Sequence, residues 1–474
     1  MNRTPLSLIA HWAGGEMHGD DVLVDAIAHD TRTLAPGSLY LALRGERFDG
    51  HDFAAQAVER GAVALLVERA LALDVPQVVV ADSEQALARI AAGMHGGRRA
   101  KVVAITGSNG KTTVKTLVLA ILQRAGHAYA NPGNYNNEIG LPLAVIDAPE
   151  DADFVIYEMG AGKPGDIAYL AAVAPPDVAV VNNIAAAHLE RMGSLLGVAR
   201  TKGAIYAALG QGGTAVVNAD DAFGTWFEQD VIRAADSGRK VLRFGVDASA
   251  EIGACDIHAD GAGSRFTLVT PAGQAEVALA LPGRHNVRNA LAAAAVALAC
   301  GVAPADIAAG LGQARPVAGR QVTHALRPGV RLVDDSYNAN PGSVAAAIDT
   351  LAATGAQAWL VLGDMRELGA EAQALHADAG RRARQAGLAR LYALGPLSAA
   401  AVEAFGEGAR HFDSHQAVAA ALRDDLAAAA VASAAASTTQ HHSPLTILIK
   451  GSRGSAMDRV VDALLAQGDA TDAA

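Results

Sequence analysis

Cysteine is almost missing from this chain. Its 474 residues include only Cys255 and Cys300, so no disulfide framework can staple the fold, and a reducing cytoplasm is the expected compartment. Aromatic residues are scarce at 4%, which excludes cores built on large rings and leaves Ala, Val and Leu to fill the interior, as suits helices packed on parallel sheets. Basic residues are outnumbered, 38 to 49, and the formal charge of −11 excludes the broad positive face that a nucleic-acid binder needs. A local basic pocket for phosphates remains compatible with that balance. Long apolar runs are absent as well. The longest, Ala290–Cys300, is too short and too Ala-rich to cross a bilayer, and no apolar core follows the N-terminal Met1–Pro5, so neither membrane insertion nor a signal peptide is expected. A chain of this length is expected to form two to four domains.

What the chain does have is a strand, a Gly-rich turn and a helix in immediate succession. Val102–Ile105 reads as a buried strand, and Val114, Leu117, Val118 and Ile121 fall on one helical face. Between them lie Gly107, Ser108, Asn109, Gly110, Lys111, Thr112 and Thr113. The glycines permit a tight turn with inward N–H groups, and the helix start adds its positive dipole end. Lys111 supplies a cation for outer phosphates, and a Thr hydroxyl can sit on magnesium. The pattern is a shortened Thr-Gly-x-x-Gly-Lys-Thr form of the phosphate loop. The alternative is a plain strand-to-helix turn carrying a surface lysine.

Three blocks follow from the alternation of strands and helices. Residues 1–98 form a small α/β block that ends in the basic, Gly-containing stretch 96–99. Residues 99–316 hold the Gly-rich loop and further strands at Phe154–Glu158, Val178–Asn182 and Ala215–Asn218, with a closing helix at Asn286–Cys300. Residues 317–474 repeat the rhythm, with strands expected at Leu332–Asp334, Trp359–Leu362, Leu391–Leu394 and Ile447–Ile449. Ala427–Ser443, rich in Ala, Ser, Thr and His, reads as an exposed loop, and His441-His442 has no partner at metal-ligand spacing.

Several side chains could carry chemistry. Glu158 ends a buried-looking strand, where α/β sheets bind ligands, and can either hold magnesium or stand solvated. Gly160, Gly162 and Gly165 match G-x-G-x-x-G, but Glu158 would set a negative charge against a pyrophosphate, and the strand is not the first of its block, so a dinucleotide site is rejected. His188 follows a second strand end and can be a metal ligand or a structural histidine. Lys202, on its residues alone, reads as an ordinary surface lysine. Asn286 and Asn289 lie one turn apart and can read an adenine edge, and Asn286 can also cap its helix. In the third block three polar crossings, 334–341, 363–369 and 450–454, fall at strand ends on one rim. They suggest a second ligand face across a cleft, where Lys450 and Arg453 could neutralise an anion.

Taken together, these segments resemble the Mur ligase family over nearly the whole chain. The resemblance rests on Asp30-Thr-Arg32 with 43–51, Thr106–Thr113, Asn131–Pro142, Glu158-Met-Gly160 and His188-Leu-Glu190. It continues through His285–Asn289, Asp335–Pro341, Gly363–Gly369 and Lys450–Arg453. It implies an α/β protein of three domains: a small N-terminal domain binding the uridine diphosphate end, a central P-loop-type, mostly parallel domain binding ATP, and a Rossmann-like C-terminal domain that closes over it. The implied reaction is ATP-dependent amide ligation of D-alanyl-D-alanine to a UDP-N-acetylmuramoyl tripeptide, through an acyl phosphate and a tetrahedral intermediate. Lys111 and Thr112 would hold phosphates and magnesium, Glu158 and His188 would bind magnesium ions, two in all, and Lys202 would be carbamylated and help hold metal. Asn289, Arg320, Asp335 and Asn338 would meet the nucleotide. Thr31, Arg32, Arg44, Arg47, Asp49 and His51 would bind the uridine diphosphate end, and Asn134 and Asn137 the sugar-peptide. Lys450, Ser452 and Arg453 would meet substrate in the third domain. Gly203-Ala204 stands where the family often has Gly-Glu, and Ala185–Ala187 where Gly-Pro-Ala is commoner. A monomer is expected. A relative adding a single amino acid, and a nucleotide-binding module without ligase activity, are the rival readings.

Overall fold

Apolar runs rich in Val and Ile, covered on both faces, become inner strands of parallel sheets. Lys101–Thr106 (β1) is such a strand, followed by the helix Lys111–Leu122 (α1) and the strands Phe154–Glu158 (β2) and Val178–Val181 (β3). The computed structural model describes residues 1–45, 47–233, 238–259, 263–355, 357–435 and 444–466. In it β1 lies inside a wholly parallel six-stranded sheet ordered Lys240–Phe244, Thr214–Asn218, β3, β1, β2, Ala128–Ala130. Glu158 pairs with Ile105, and Val181 pairs with Thr106, so the three inner strands end at one level and the loops that follow them share a rim. The chain crosses to opposite sides of β1 at this point, which opens a crevice there.

The N-terminal block folds as a five-stranded sheet with one antiparallel edge strand, Glu16–His18. The third block forms a six-stranded sheet from Val322–Arg327, Val330–Asp335 (β4), Leu445–Lys450, Gln357–Gly363, Arg390–Leu394 and Ala409–Phe412, in that order. Only the first strand is antiparallel. Lys450 pairs with Asp335 on one side and Leu362 on the other, which brings the three polar crossings of this block to one rim. The chain is thus an α/β protein of three sheet-centred bodies.

The apolar interiors follow a different partition. One buried cluster runs from Leu6 to Ile232 and joins the N-terminal body to the central one, and a second fills the other face of the central sheet from Val103 to Ala314. The C-terminal body keeps its own clusters, between Val330 and Leu464.

Three expectations change. Residues 427–435, read as loop, continue the helix His415–Ala435, because Ala favours helix whatever its neighbours. The rest of that stretch, His441-His442 included, lies outside the described residues. A three-stranded antiparallel sheet, Gly253–Ala259, Ser264–Thr270 and Gly273–Leu279, was not foreseen. Its second and third strands bury one face only, its first buries no residue fully, and Asp, Arg, Gln and Glu stand exposed on them, which hides the strands from a search for apolar runs. Finally, Asn286 does not cap its helix. Arg284–Ala299 (α2) starts from Gly283, and the Asn286 amide donates back to the Pro282 carbonyl at 2.8 Å.

Candidate active site

The Gly-rich loop needs both of its glycines. Gly107 has φ 153° and Gly110 φ 76°, and a Cβ at Gly110 would stand 2.5 Å from Asn289 Oδ1 and 2.6 Å from Asn182 Nδ2. The N–H groups of Ser108 and Asn109 are taken by the Asn183 carbonyl (2.9 Å) and Oδ1 (2.8 Å), so these two shape the loop from within the sheet. The N–H groups free for an anion are those that open α1, which has no side-chain cap. The Lys111 ammonium rests on the Gly107 carbonyl at 2.9 Å. Burial lowers its pKa, and the Glu158 carboxylate works against that.

Glu158 is buried at the end of β2 and held on every side. Thr112 Oγ1 donates to Oε2 at 2.9 Å, Asn136 Nδ2 donates to Oε1 at 2.8 Å, and Lys115 Nζ lies 3.3 Å from Oε2. Burial alone would raise its pKa. Lys115, Lys111 and the two hydrogen bonds outweigh burial and keep it an anion. Lys115 also donates to the carbonyls of Asn131 (2.9 Å) and Gly133 (3.0 Å), and Asn131 pairs through its amide with the backbone of Glu158. The 131–137 loop is therefore riveted to the acid.

His188 stands in left-handed backbone (φ 54°) and places Nδ1 2.5 Å from Glu367 Oε2, a residue of the C-terminal rim. Burial lowers its pKa, with Lys111 and Lys202 acting the same way and Glu367 opposing. Lys202 is 1% exposed, against its reading as a surface lysine. Its helix, Leu195–Ala207, packs that side inward, and among the described residues its ammonium has no ion pair. Burial, then the charge of Lys111, push its pKa well below the usual lysine value.

Lys111, Thr112, Glu158 and His188 face a cavity of about 1000 Å³ between the central and C-terminal bodies. Ser108–Thr113, Asn137, Glu158, His188, Asn289, Arg320, Asp335, Asn338 and Lys450 all line it. Arg320 lies over the Tyr337 ring at 4.1 Å, with Arg453 at 5.1 Å. Lys450 pairs with Asp335 at 2.6 Å, and burial still pushes the Asp335 carboxyl up. Lys202, Asn134, Ser452 and Arg453 are not on the cavity wall. Ser452 Oγ is occupied, donating to the Ala339 carbonyl and accepting from Arg366 N–H.

Three comparisons meet at this geometry. The family model described as Mur ligase middle domain matches residues 105–297, Mur ligase, glutamate ligase domain matches 319–453, and Mur ligase family, catalytic domain matches 23–95. A UDP-N-acetylmuramoyl-tripeptide–D-alanyl-D-alanine ligase of Escherichia coli is 43% identical over 98% of both chains. The chain belongs to the Mur ligase family. Among solved Mur ligases, a MurF crystal structure from Acinetobacter baumannii superposes with TM-score 0.91 at 31% identity, covering 98% of this chain and 100% of that one. The MurF ligase of Thermotoga maritima, solved in complex with ADP, gives TM-score 0.81 at 27% identity over 94% and 98%.

The N-terminal residues named for this Mur ligase lie apart from the cavity. Arg32 is exposed and paired with Asp30 at 2.6 Å, and Arg44 and Arg47 are exposed. Thr31 Oγ1 donates to Gln56 at 2.9 Å. His51 turns fully inward: Nδ1 meets Asp49 at 2.5 Å and Nε2 accepts from Glu68 N–H at 2.8 Å, so its ring braces the loop and has no nitrogen left for a ligand. Residue reading missed Lys115, Asn136, Asn183, Asn340 and Glu367. Lys115 was findable, one helical turn after Lys111. Glu367 and Asn340 act across bodies, which no local pattern reveals.

Proposed function

We propose that this chain is an ATP-dependent ligase that adds D-alanyl-D-alanine to a UDP-N-acetylmuramoyl tripeptide in the synthesis of peptidoglycan precursors. The observation that carries the reading is one cavity whose walls are the Gly-rich loop with Glu158 on one side and the crossing at 335–340 with Lys450 on the other. A carboxylate resists attack by an amine. Transfer of the outer phosphoryl group of ATP makes it an acyl phosphate, which the dipeptide amine attacks, and the tetrahedral adduct collapses to amide and phosphate. No protein nucleophile is required. The chain supplies position and charge: α1 N–H groups and Lys111 at the phosphates, and Lys450 and Arg320 at the opposite wall. Juxtaposed bodies exclude water that would hydrolyse the acyl phosphate.

The buried Glu158 carboxylate and the Thr112 hydroxyl are hard oxygen donors on the cavity wall and suit magnesium, which would supply charge neutralisation at the phosphates. Among the described residues no three His, Cys, Asp or Glu side chains gather around one point, so phosphate oxygens and water would complete the shell. His188 is one further ligand of this proposal. Lys202, buried without an ion pair among the described residues and with a depressed pKa, is suited to carbamylation, because only a neutral amine attacks carbon dioxide. The exposed Arg32, Arg44 and Arg47 are assigned to the uridine diphosphate end. Residues 1–98, 99–316 and 317–474 are taken as the three domains. A cytoplasmic monomer fits two free cysteines and a cavity built from one chain, and no described helix is long and apolar enough to cross a membrane. Phosphate release that requires both UDP-muramoyl tripeptide and D-Ala-D-Ala, with a product mass equal to their sum less water, tests the reading. Release with a single amino acid in place of the dipeptide, or none with both substrates, overturns it.

A further inference from the structure

Asn340, the residue before the helix Pro341–Ala352 (α3), faces two ways. Its Oδ1 accepts the Ser343 N–H at 2.9 Å and closes a capping box inside the C-terminal body. Its Nδ2 donates across the cleft to Oδ1 of Asn109, in the Gly-rich loop, at 2.7 Å. The backbone of Asn109 is already fixed by the central sheet. Its N–H donates to Asn183, and its carbonyl accepts from Asn182 Nδ2 at 2.9 Å and Asn183 Nδ2 at 3.1 Å. Only its side chain answers to the other body. The approach is close, since a Cβ on Gly342 would lie 3.3 Å from Asn109 Nδ2 and 3.2 Å from Ala185 Cβ.

The amides continue beyond Asn109. Asn182 Nδ2 donates to Asn289 Oδ1 at 2.8 Å, Asn289 Nδ2 to Asn286 Oδ1 at 3.1 Å, and Asn286 Nδ2 to Gln321 Oε1 at 3.0 Å. Gln321 lies in the segment that joins the two bodies. A neutral hydrogen-bonded chain therefore runs from the α3 cap, through the loop, to the connecting segment.

We propose that Asn340 is a positioning residue for the nucleotide. By holding the Asn109 side chain it braces the Gly-rich loop when the C-terminal body is docked, so that triphosphate affinity and docking are coupled by one amide pair. The proposal rests on the ATP reading above. An amide suits the place, because it supplies a donor to Asn109 and a capping oxygen to α3 without adding charge beside phosphates.

A double-mutant cycle tests it. Asn340→Ser keeps a capping oxygen but cannot span the cleft, and Asn109→Ala removes the acceptor. Affinity for a non-hydrolysable ATP analogue, and analogue-induced compaction by solution scattering, are measured for wild type, both single variants and the double. Each single change is expected to weaken affinity about 5–10-fold, near the worth of one hydrogen bond, and to reduce compaction. The double variant is expected to be no weaker than the weaker single, while the melting temperature of Asn340→Ser stays close to wild type. Losses that multiply in the double variant, or unchanged affinity in Asn340→Ser, overturn the coupling while leaving ATP binding intact. Should Asn340→Ser not fold, Asn340→Thr, which also caps and adds no charge, completes the same cycle. No analogue binding by the wild type overturns both the coupling and the ATP reading.

Discussion

At the scale of single residues, the site is a contest between burial and charge. Lys111 is half-buried on the cavity wall, where desolvation lowers its pKa and Glu158 opposes the shift, and its loss should remove a preorganised donor at the phosphates. Lys111→Ala is expected to lower turnover about 10²–10³-fold, read as substrate-dependent phosphate release. Lys202 is the opposite case, a buried amine with no ion pair among the described residues, whose pKa burial and the charge of Lys111 lower against the opposing charge of Asp166. Lys202→Met should abolish ligation while raising stability by about 1 kcal/mol in urea unfolding, because a desolvated polar head is replaced by a thioether of similar length. A loss of stability would show that Lys202 holds a satisfied charge. His285 gives the pH dependence. Burial, with Lys450 and Arg288 nearby, drops its pKa to about 4, while in the unfolded chain it titrates near its ordinary value of 6.5. The folded state keeps it neutral, so its contribution is complete above pH 6.5 and is lost as pH falls from about 6.5 to about 4. On the order of 3 kcal/mol is at stake, and His285→Gln should flatten the stability curve in that window.

At the scale of elements, the strand–turn–helix unit decides most. Gly110→Ala would drive a Cβ into the amides of Asn289 and Asn182, so analogue affinity should fall at least tenfold, measured by calorimetry, with the rest of the sheet intact. A near-normal affinity would mean that these amides do not matter to the nucleotide. This unit was legible in the sequence because every signal in it is local: an apolar run, two glycines, and a helical stripe. The inner strands Phe154–Glu158 and Leu391–Leu394 were equally plain, being buried on both faces. The half-buried sheet at 253–279 was not, since its apolar side chains alternate with charged ones. Likewise, Lys202 looked like a surface lysine until its helix was packed, and His51 looked available until both ring nitrogens were engaged. Burial and hydrogen-bond partners are tertiary facts, and only the resemblance to a family singled out Lys202 for a role.

At the scale of the whole molecule, the cavity belongs to two bodies at once. An ATP analogue at 100 times its Kd should stabilise the chain by about 2.7 kcal/mol. Hydrogen exchange should slow on both walls, at residues 107–113 and at 335–343. Protection confined to the first stretch would mean that the C-terminal rim takes no part in binding. The partition of the interior bears on how this body moves. Among the described residues no buried apolar cluster crosses the cleft, whereas one runs without break from the N-terminal body into the central one. The hydrogen bonds across the cleft join Asn340 to Asn109, Glu367 to His188 and the Glu190 N–H, Gln321 to Asn286 and His285, and Thr350 to His285. Water can replace each of them bond for bond. Separation of the C-terminal third would therefore wet no oily interior, and hydration alone would compete with the bonds that hold it.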